Sequence, residues 1–246
     1  MERIFKIHAS QTHKIMGKMG LTETQQNRLN ELKLRNSDPL AKALTQNMKD
    51  ELSGLILKAE MPELPQTAKT FLHEWYANDN EQVWSKYTDK GNMVEFDLIE
   101  FMAEKIGYGL AQKNQHERSD EYFIGSCDVE FPDLIVDVKA PWNVKTLHEQ
   151  VISGLDEAYE MQLKVYCHLW NKPKGLLFFG LMDTPEEANY GNEIMYSSIP
   201  DSEKWVAYNT VADPEFIKSA IERVKLCRIY LAEYDKKIKS RIGKIH

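Results

Sequence analysis

The sequence predicts an α/β (α+β) chain, and three observations carry that expectation. Two apolar, β-branched runs flank a Pro132-Asp133 pair, the sequence form of a β-hairpin. They read Tyr122-Phe-Ile-Gly-Ser-Cys-Asp128-Val-Glu-Phe131 and Leu134-Ile-Val-Asp137-Val-Lys139-Ala-Pro-Trp142. Lys174-Gly-Leu-Leu-Phe-Phe-Gly-Leu-Met182 reads as a buried strand, closed by Asp183-Thr-Pro185. Apolar residues recur at helical spacing through most of the chain on either side.

The 246 residues suffice for one domain of generous size with a substantial core. The net charge of -7 argues against a generic nucleic-acid binder, since such domains are usually basic overall. Carboxylates gathered around a metal can nevertheless mask a local basic groove. Cys127, Cys167 and Cys227 lie far apart without a C-x-x-C, so there is no zinc or iron–sulfur signature and reduced thiols are expected. No long apolar stretch occurs, and Met-Glu-Arg-Ile-Phe-Lys is no signal peptide. A soluble cytoplasmic protein without membrane partners is the expectation.

Ile4, Phe5 and Ile7 lead through Ala9-Ser10-Gln11 into Thr12-His13-Lys14-Ile15-Met16, a short strand running into a helix with Ser10 near its N-cap. Such a helix start binds phosphate readily and Lys14 would add charge; simple capping is the alternative. Thr22-Glu-Thr-Gln25 is a capping box ahead of Leu29, Leu32 and Leu34, and Asn36-Ser37-Asp38-Pro39 breaks that helix. A second helical run covers about 41–58, and a third lies near 66–77 after the break Glu60-Met-Pro62-Glu-Leu-Pro65. Residues 1–83 thus form a helical, polar arm packed on a core of residues 84–246, within one compact domain.

The helix between Gly91 and Gly107 places Glu95 on the apolar stripe of Ile99, Met102 and Ile106. Asp97, Glu100 and Glu104 share another face and are the expected solvated acids. An inward acid is rare unless paired or bound to metal, although a helix-end position would let it reach water. Asp156 through Trp170 has helical spacing, with Tyr159, Gln162 and Tyr166 on one side. A further strand is expected at 194–199, and Pro214 opens a long C-terminal helix through Phe216, Ile221, Val224, Leu226, Ile229 and Leu231. Its basic end, Lys236 to Lys244, suits the helix dipole.

With Pro132 and Asp133 in the turn, position 128 pairs with position 137 and Lys139 falls on the same face. Opposed side chains have Cβ atoms roughly 4.5–5.5 Å apart. Two buried anions that close need a cation between them. An ordinary surface salt bridge is the competing reading, weakened because Asp137 interrupts a run that looks buried on both faces. Glu95, Asp128, Asp137 and Lys139 together offer hard oxygen ligands for Mg²⁺ or Mn²⁺ and an amine to orient or deprotonate a water. That is the chemistry of phosphodiester hydrolysis.

These four residues match the PD-(D/E)XK nuclease pattern, with Asp137-Val-Lys139 as its D/E-x-K element. Tyr87-Thr-Asp-Lys-Gly91-x-x-x-Glu95, Ile124-Gly-Ser-Cys-Asp128, Val136-Asp-Val-Lys139-Ala-Pro-Trp142 and Tyr159-x-x-Gln162-x-x-x-Tyr166 resemble the successive motifs of the YqaJ-type phage recombination exonucleases. That family is itself similar to lambda exonuclease and the RecB nuclease domain. Ile7-His-Ala-Ser10 to Met16 resembles its opening motif more weakly, with His8 where the family often carries Arg. Asp137 stands where many members carry Glu.

The resemblance implies a restriction-endonuclease-like core, a central mixed sheet flanked by helices. It implies Glu95, Asp128, Asp137 and the Val138 carbonyl around Mg²⁺, with Mn²⁺ able to substitute, and Lys139 serving the water. Ser10, Lys14, Gln162 and Tyr166 would bind substrate or support the site. The expected activity is exonucleolytic hydrolysis of linear duplex DNA, 5′-to-3′, leaving single-stranded tails for phage-type recombination. DNA duplex ends, a single-strand annealing recombinase and further copies of the chain are the implied partners, in a phage-infected or prophage-carrying bacterium. A structure- or sequence-specific endonuclease on the same core is the rival reading. The other is a DNA-binding or assembly protein with a retired site, against which the intact acids and lysine argue.

Overall fold

The structure, a computed structural model, describes residues 3–60, 62–78 and 85–243. The start of the chain at Met1 and Glu2, the expected boundary at residues 83 and 84, and Lys244 of the basic tail lie outside the described residues. Strand β1 (Ile7–His8) passes through a 3-10 turn (Ala9–Gln11) into the single-turn helix α1 (Thr12–Ile15). Ser10 therefore lies inside the turn and does not cap the helix. Gln11 holds the N-cap position and makes no side-chain capping bond.

Three helices follow, α2 (Glu23–Ser37), α3 (Gln46–Glu60) and α4 (Gln66–Ala77). Thr22 and Gln25 form the expected capping box. Helix α3 begins at Gln46 and not near 41, because Thr45 Oγ1 accepts the Met48 N–H at 3.4 Å and sets the start there. Leu44, left outside the helix, still packs with Leu29, Leu32 and Leu52 in a small separate cluster.

Helix α5 (Lys86–Ile106) is longer than its glycines suggested. Ser85 caps it by accepting the Thr88 N–H, Gly91 lies inside it, and Gly107 at φ 74° ends it. Its buried stripe comprises Lys90, Val94, Leu98, Ile99, Met102 and Ala103, while Asp97, Glu100 and Glu104 are exposed as expected.

The strands are β2 (Arg118–Ser119), β3 (Phe123–Gly125), β4 (Val129–Glu130), β5 (Leu134–Lys139), β6 (Lys174–Gly180) and β7 (Trp205–Val211). They form two small sheets, ordered β1-β3-β2 and β4-β5-β6-β7, each with parallel and antiparallel neighbours. The four-stranded sheet is the central mixed sheet expected, and the three-stranded one is an addition to it. The first hairpin arm breaks after Gly125, and β3 leaves to pair with β1. Gly125 is needed at the break: a Cβ there would lie 2.8 Å from Tyr166 Cε1 and 3.0 Å from Ala9 Cβ. Asn114 takes the backbone beyond it, its N–H donating to Asp128 O at 2.7 Å and its Nδ2 to Cys127 O at 2.8 Å. Those carbonyls are then withdrawn from any continued ladder.

Residues 194–199 form no strand and contribute only an isolated bridge from Ile194 to Thr184. The strand beside β6 is β7, a half-exposed edge. Helix α6 (Val144–Ser153) is capped by an Asn143–Thr146 box, and α7 (Glu157–Trp170) by Asp156. Helix α8 (Pro214–Arg241) opens at Pro214 with Asp213 as its cap. It buries Ile217, Ala220, Val224, Cys227 and Leu231, so Leu226 and Ile229 face outward and do not belong to its core stripe.

Alternation along β5 organises the interior. Leu134, Val136 and Val138, with Leu176 and Phe178 of β6, pack against Leu98, Ile99 and Met102 of α5. Ile135, Leu177 and Phe179 join the larger cluster with Leu163, Val165 and Val224 from α7 and α8. Each such side chain contributes about 1.5–3 kcal/mol when fully buried. Asp137 and Lys139 therefore leave the strand on the α7 side. The three cysteines are unpaired and buried, and among the described residues no helix is long and apolar enough to cross a membrane.

Candidate active site

The hairpin register is Val129 opposite Val136 and Glu130 opposite Ile135, with Phe131 N–H donating to Leu134 O at 2.8 Å across the turn. Asp128 lies just outside the strand, and its N–H donates to Val136 O at 3.1 Å instead of extending the ladder squarely to Asp137. Its carboxylate reaches past that point and accepts the Val138 N–H at 2.6 Å. One carboxylate is thereby fixed on the edge of β5 where backbone pairing stops.

Asp137 is buried, 2% exposed. Its Oδ1 accepts from Gln162 Nε2 at 3.1 Å, and the same amide donates to Tyr166 Oη at 3.0 Å. Lys139 Nζ lies 2.6 Å from Asp137 Oδ2, a charge-assisted contact that is the only side-chain partner of that oxygen among the described residues. Gln162 and Tyr166 thus stand behind Asp137 as buried supports, away from the open surface.

Burial, then the charge of Asp137, pushes the Asp128 carboxyl up to about 7, against the opposing pull of Lys139 and the Val138 N–H. Burial pulls the Lys139 ammonium down, but the charges of Asp137 and Asp128 outweigh it and the net shift is upward. Burial and then Asp137 raise the Tyr166 hydroxyl well above its ordinary range, so it stays protonated.

Glu95, Asp128, Val138 and Lys139 line one cleft of about 570 Å³, together with Tyr87 and Tyr159. Glu95 reaches it from α5, as its helical register required, and is ion-paired there with Lys113. Ser10 and Lys14 are not brought to this cleft. Ser10 is exposed, and Lys14 Nζ lies 5.1 Å over the Phe71 ring.

Two lysines had no assigned part in the sequence reading. Lys90 is fully buried and donates to Pro141 O at 2.9 Å and Trp142 O at 3.0 Å. Burial pulls it down to about 8. It ties α5 to the chain just beyond Lys139. The stripe of Lys90, Val94 and Leu98 carried the same signal as Glu95, an ionisable group on the apolar face. Lys113 bridges to Val129 through the backbone while its ammonium crosses to Glu95, a link made by a loop and invisible to helical periodicity.

Among the described residues no group of three or more His, Cys, Asp or Glu side chains is gathered to hold a metal. The pair of acids nevertheless fits a small hard cation. Both are oxygen donors, Asp137 Oδ2 is met only by the Lys139 ammonium, and Asp128 carries the repulsion that a cation would relieve. Glu95→Ala should lower cleavage at least about tenfold, equivalent to roughly 1.4 kcal/mol of barrier. Glu100→Ala and Glu104→Ala should be near neutral, as exposed substitutions usually are. Equal losses at all three positions in a nuclease assay would refute the special place of Glu95.

No protein-family profile and no curated protein sequence matches the chain. Among solved structures it is similar to a phage-related exonuclease from Haemophilus somnus 129PT, with 23% identity and a TM-score of 0.67 over 96% of this chain and 97% of that one. It is also similar to the alkaline exonuclease LHK-Exo from Laribacter hongkongensis, with 12% identity and a TM-score of 0.61 over 98% of this chain and 96% of that one. The latter protein has also been solved in complex with dAMP. The mixed α/β fold of the chain is that of these two structures, matched over 96% and 98% of its length.

Proposed function

We propose that the protein is a Mg²⁺-dependent deoxyribonuclease that degrades linear duplex DNA from its ends, with Mn²⁺ able to substitute. The observation that carries this reading is the meeting of Glu95, Asp128 and Lys139 at one cleft, with Asp137 buried directly behind Lys139. Asp128, Asp137, the Val138 carbonyl and Glu95 would hold the ion, which when bound polarises the phosphorus and stabilises the leaving oxygen. Gln162 fixes the rotamer of Asp137, and Tyr166 anchors Gln162 in turn. Lys139, at the cleft surface, would orient the attacking water and, once a bound cation offsets the Asp137 and Asp128 charges that raise it, take up the water's proton. Lys90 holds the chain beyond Lys139 against the helix that carries Glu95.

The finer parts of the proposal are 5′-to-3′ polarity, single-stranded tails as products, and a role in phage-type recombination with an annealing recombinase and further copies of the chain. The motif order shared with the phage recombination exonucleases motivates them, and the likeness of the fold to a phage-related exonuclease supports the exonuclease reading they refine. End-labelled linear duplex and closed circular duplex, each with Mg²⁺ and with chelator, test the core claim. Linear DNA should shorten only with Mg²⁺ while circles stay intact. Cleavage of closed circles would establish the endonuclease reading instead. Binding without cleavage under any metal would establish the retired site.

A further inference from the structure

A second cleft, of about 610 Å³, lies beside the first and is lined by Phe96, Gln112, Lys113, Asn114, Gln115 and His116, with the acids Glu100 and Glu130. Helix α5 separates the two: Glu95 opens to one and the next residue, Phe96, to the other. Lys113 joins them, pairing with Glu95 while lining the second cleft. Resting on the nuclease reading, we propose that this second cleft is a single-strand groove, in which a DNA base stacks on Phe96 and a phosphate meets Lys113.

Phe96 is 63% exposed, with Glu100 one turn on and the half-exposed Met93 one turn back, and no other aromatic ring stacks on it among the described residues. Lys113 Nζ lies 5.4 Å over one face of that ring, adding a cation beside the surface a base would meet. The wall opposite is held in place. Asn114 Nδ2 donates to His116 O at 2.9 Å as well as to Cys127 O, and Asn114 Oδ1 accepts the His116 N–H at 3.0 Å. Gln112 and Gln115 remain exposed, and amides can both donate and accept at base edges.

Charge narrows the occupant. Glu130 is compensated by Lys172 at 2.8 Å and Arg118 at 3.3 Å, but Glu100 adds an anion to the lining. A groove of that kind does not grip a phosphate backbone along its length; it favours base faces, with one phosphate contact at Lys113. Stacking on a side chain requires an unpaired base, so the ligand is a single-stranded segment and not intact duplex. An end-resecting nuclease generates such a segment next to its own site.

The test is binding of a single-stranded oligonucleotide of roughly a dozen nucleotides, carrying 2-aminopurine, to the full chain in chelator, where nothing is cut. Stacking should quench the 2-aminopurine. Phe96→Ala should weaken binding about five- to a hundredfold and abolish the quench, whereas Phe96→Tyr should keep both. The ring is exposed, so neither variant should lower the melting temperature appreciably. Unchanged affinity and quench in Phe96→Ala would overturn the groove, as would equal loss in both variants. If the wild type cuts linear duplex and Phe96→Ala still binds like it, the groove alone fails. If the wild type neither cuts duplex nor binds the oligonucleotide, both the groove and the nuclease reading fail.

Discussion

Lys139→Ala should lower the rate of DNA cleavage about 10²–10⁴-fold, the usual loss when a positioned proton-transfer group is removed. Metal and DNA affinity should stay near the wild-type values, because the ammonium contacts Asp137 from the cleft side and is not itself a metal ligand. Its side chain is one-third exposed, at 33%, so it can meet a water in the cleft while pairing with the buried carboxylate behind it. Removing it leaves Asp137 with Gln162 as its remaining side-chain hydrogen-bond donor. Affinities should therefore be compared with metal present, when a divalent cation supplies the missing positive charge. Single-turnover cleavage of saturating linear duplex is the measurement. A variant that keeps more than half of the wild-type rate would remove Lys139 from the mechanism.

The parts of this site written in local pattern were legible in the sequence. Pro132-Asp133 between β-branched runs located the turn, and the burial of Asp137 followed from the apolar residues on either side of it. The 3.6-residue period of α5 put Glu95 on the inward face, and the motif running from Tyr87 to Glu95 attached it to the site. What was not legible depends on residues distant in sequence. The hairpin arm breaks at Gly125 because Tyr166 and Ala9 crowd its Cα from two other elements. Lys113 reaches Glu95 only because a loop is pinned to the backbone of Asp128 and Val129. Strand β7 carries Val206, Tyr208 and Thr210 at a two-residue period, a usable signal, but its edge position leaves most of it half-exposed and the pattern weak. In α8, Leu226 and Ile229 are apolar yet outward, so hydrophobicity alone misplaced the stripe that Ile217, Ala220, Val224, Cys227 and Leu231 define.

Asp128→Asn should separate the electrostatics of the acid pair from its role as ligand. Burial and the Asp137 charge raise the folded-state carboxyl to about 7. In the unfolded chain an Asp titrates near about 3.9. A raised carboxyl costs no stability below its unfolded value. The cost grows as pH climbs through the folded value, because the folded state then binds more protons than the unfolded one. Its size is on the order of a few kcal/mol for a shift of this kind. In chelator at pH 8 the asparagine variant should therefore melt at or above the wild type, and the gap should close toward pH 4. Asn keeps a carbonyl oxygen that can still accept the Val138 N–H, so the edge of β5 need not be lost. Adding Mn²⁺ or Mg²⁺ at about a hundredfold over Kd should stabilise the wild type by about 2.7 kcal/mol, since the ion binds the folded form alone. The variant should respond little. Thermal scans of both proteins, with chelator and with Mn²⁺ at pH 8 and pH 5, measure all of this. An equal metal response in both proteins would show that Asp128 is not a ligand. A response in neither would leave the two carboxylates without their cation, and the DNA-binding reading of the fold would take precedence over the nuclease.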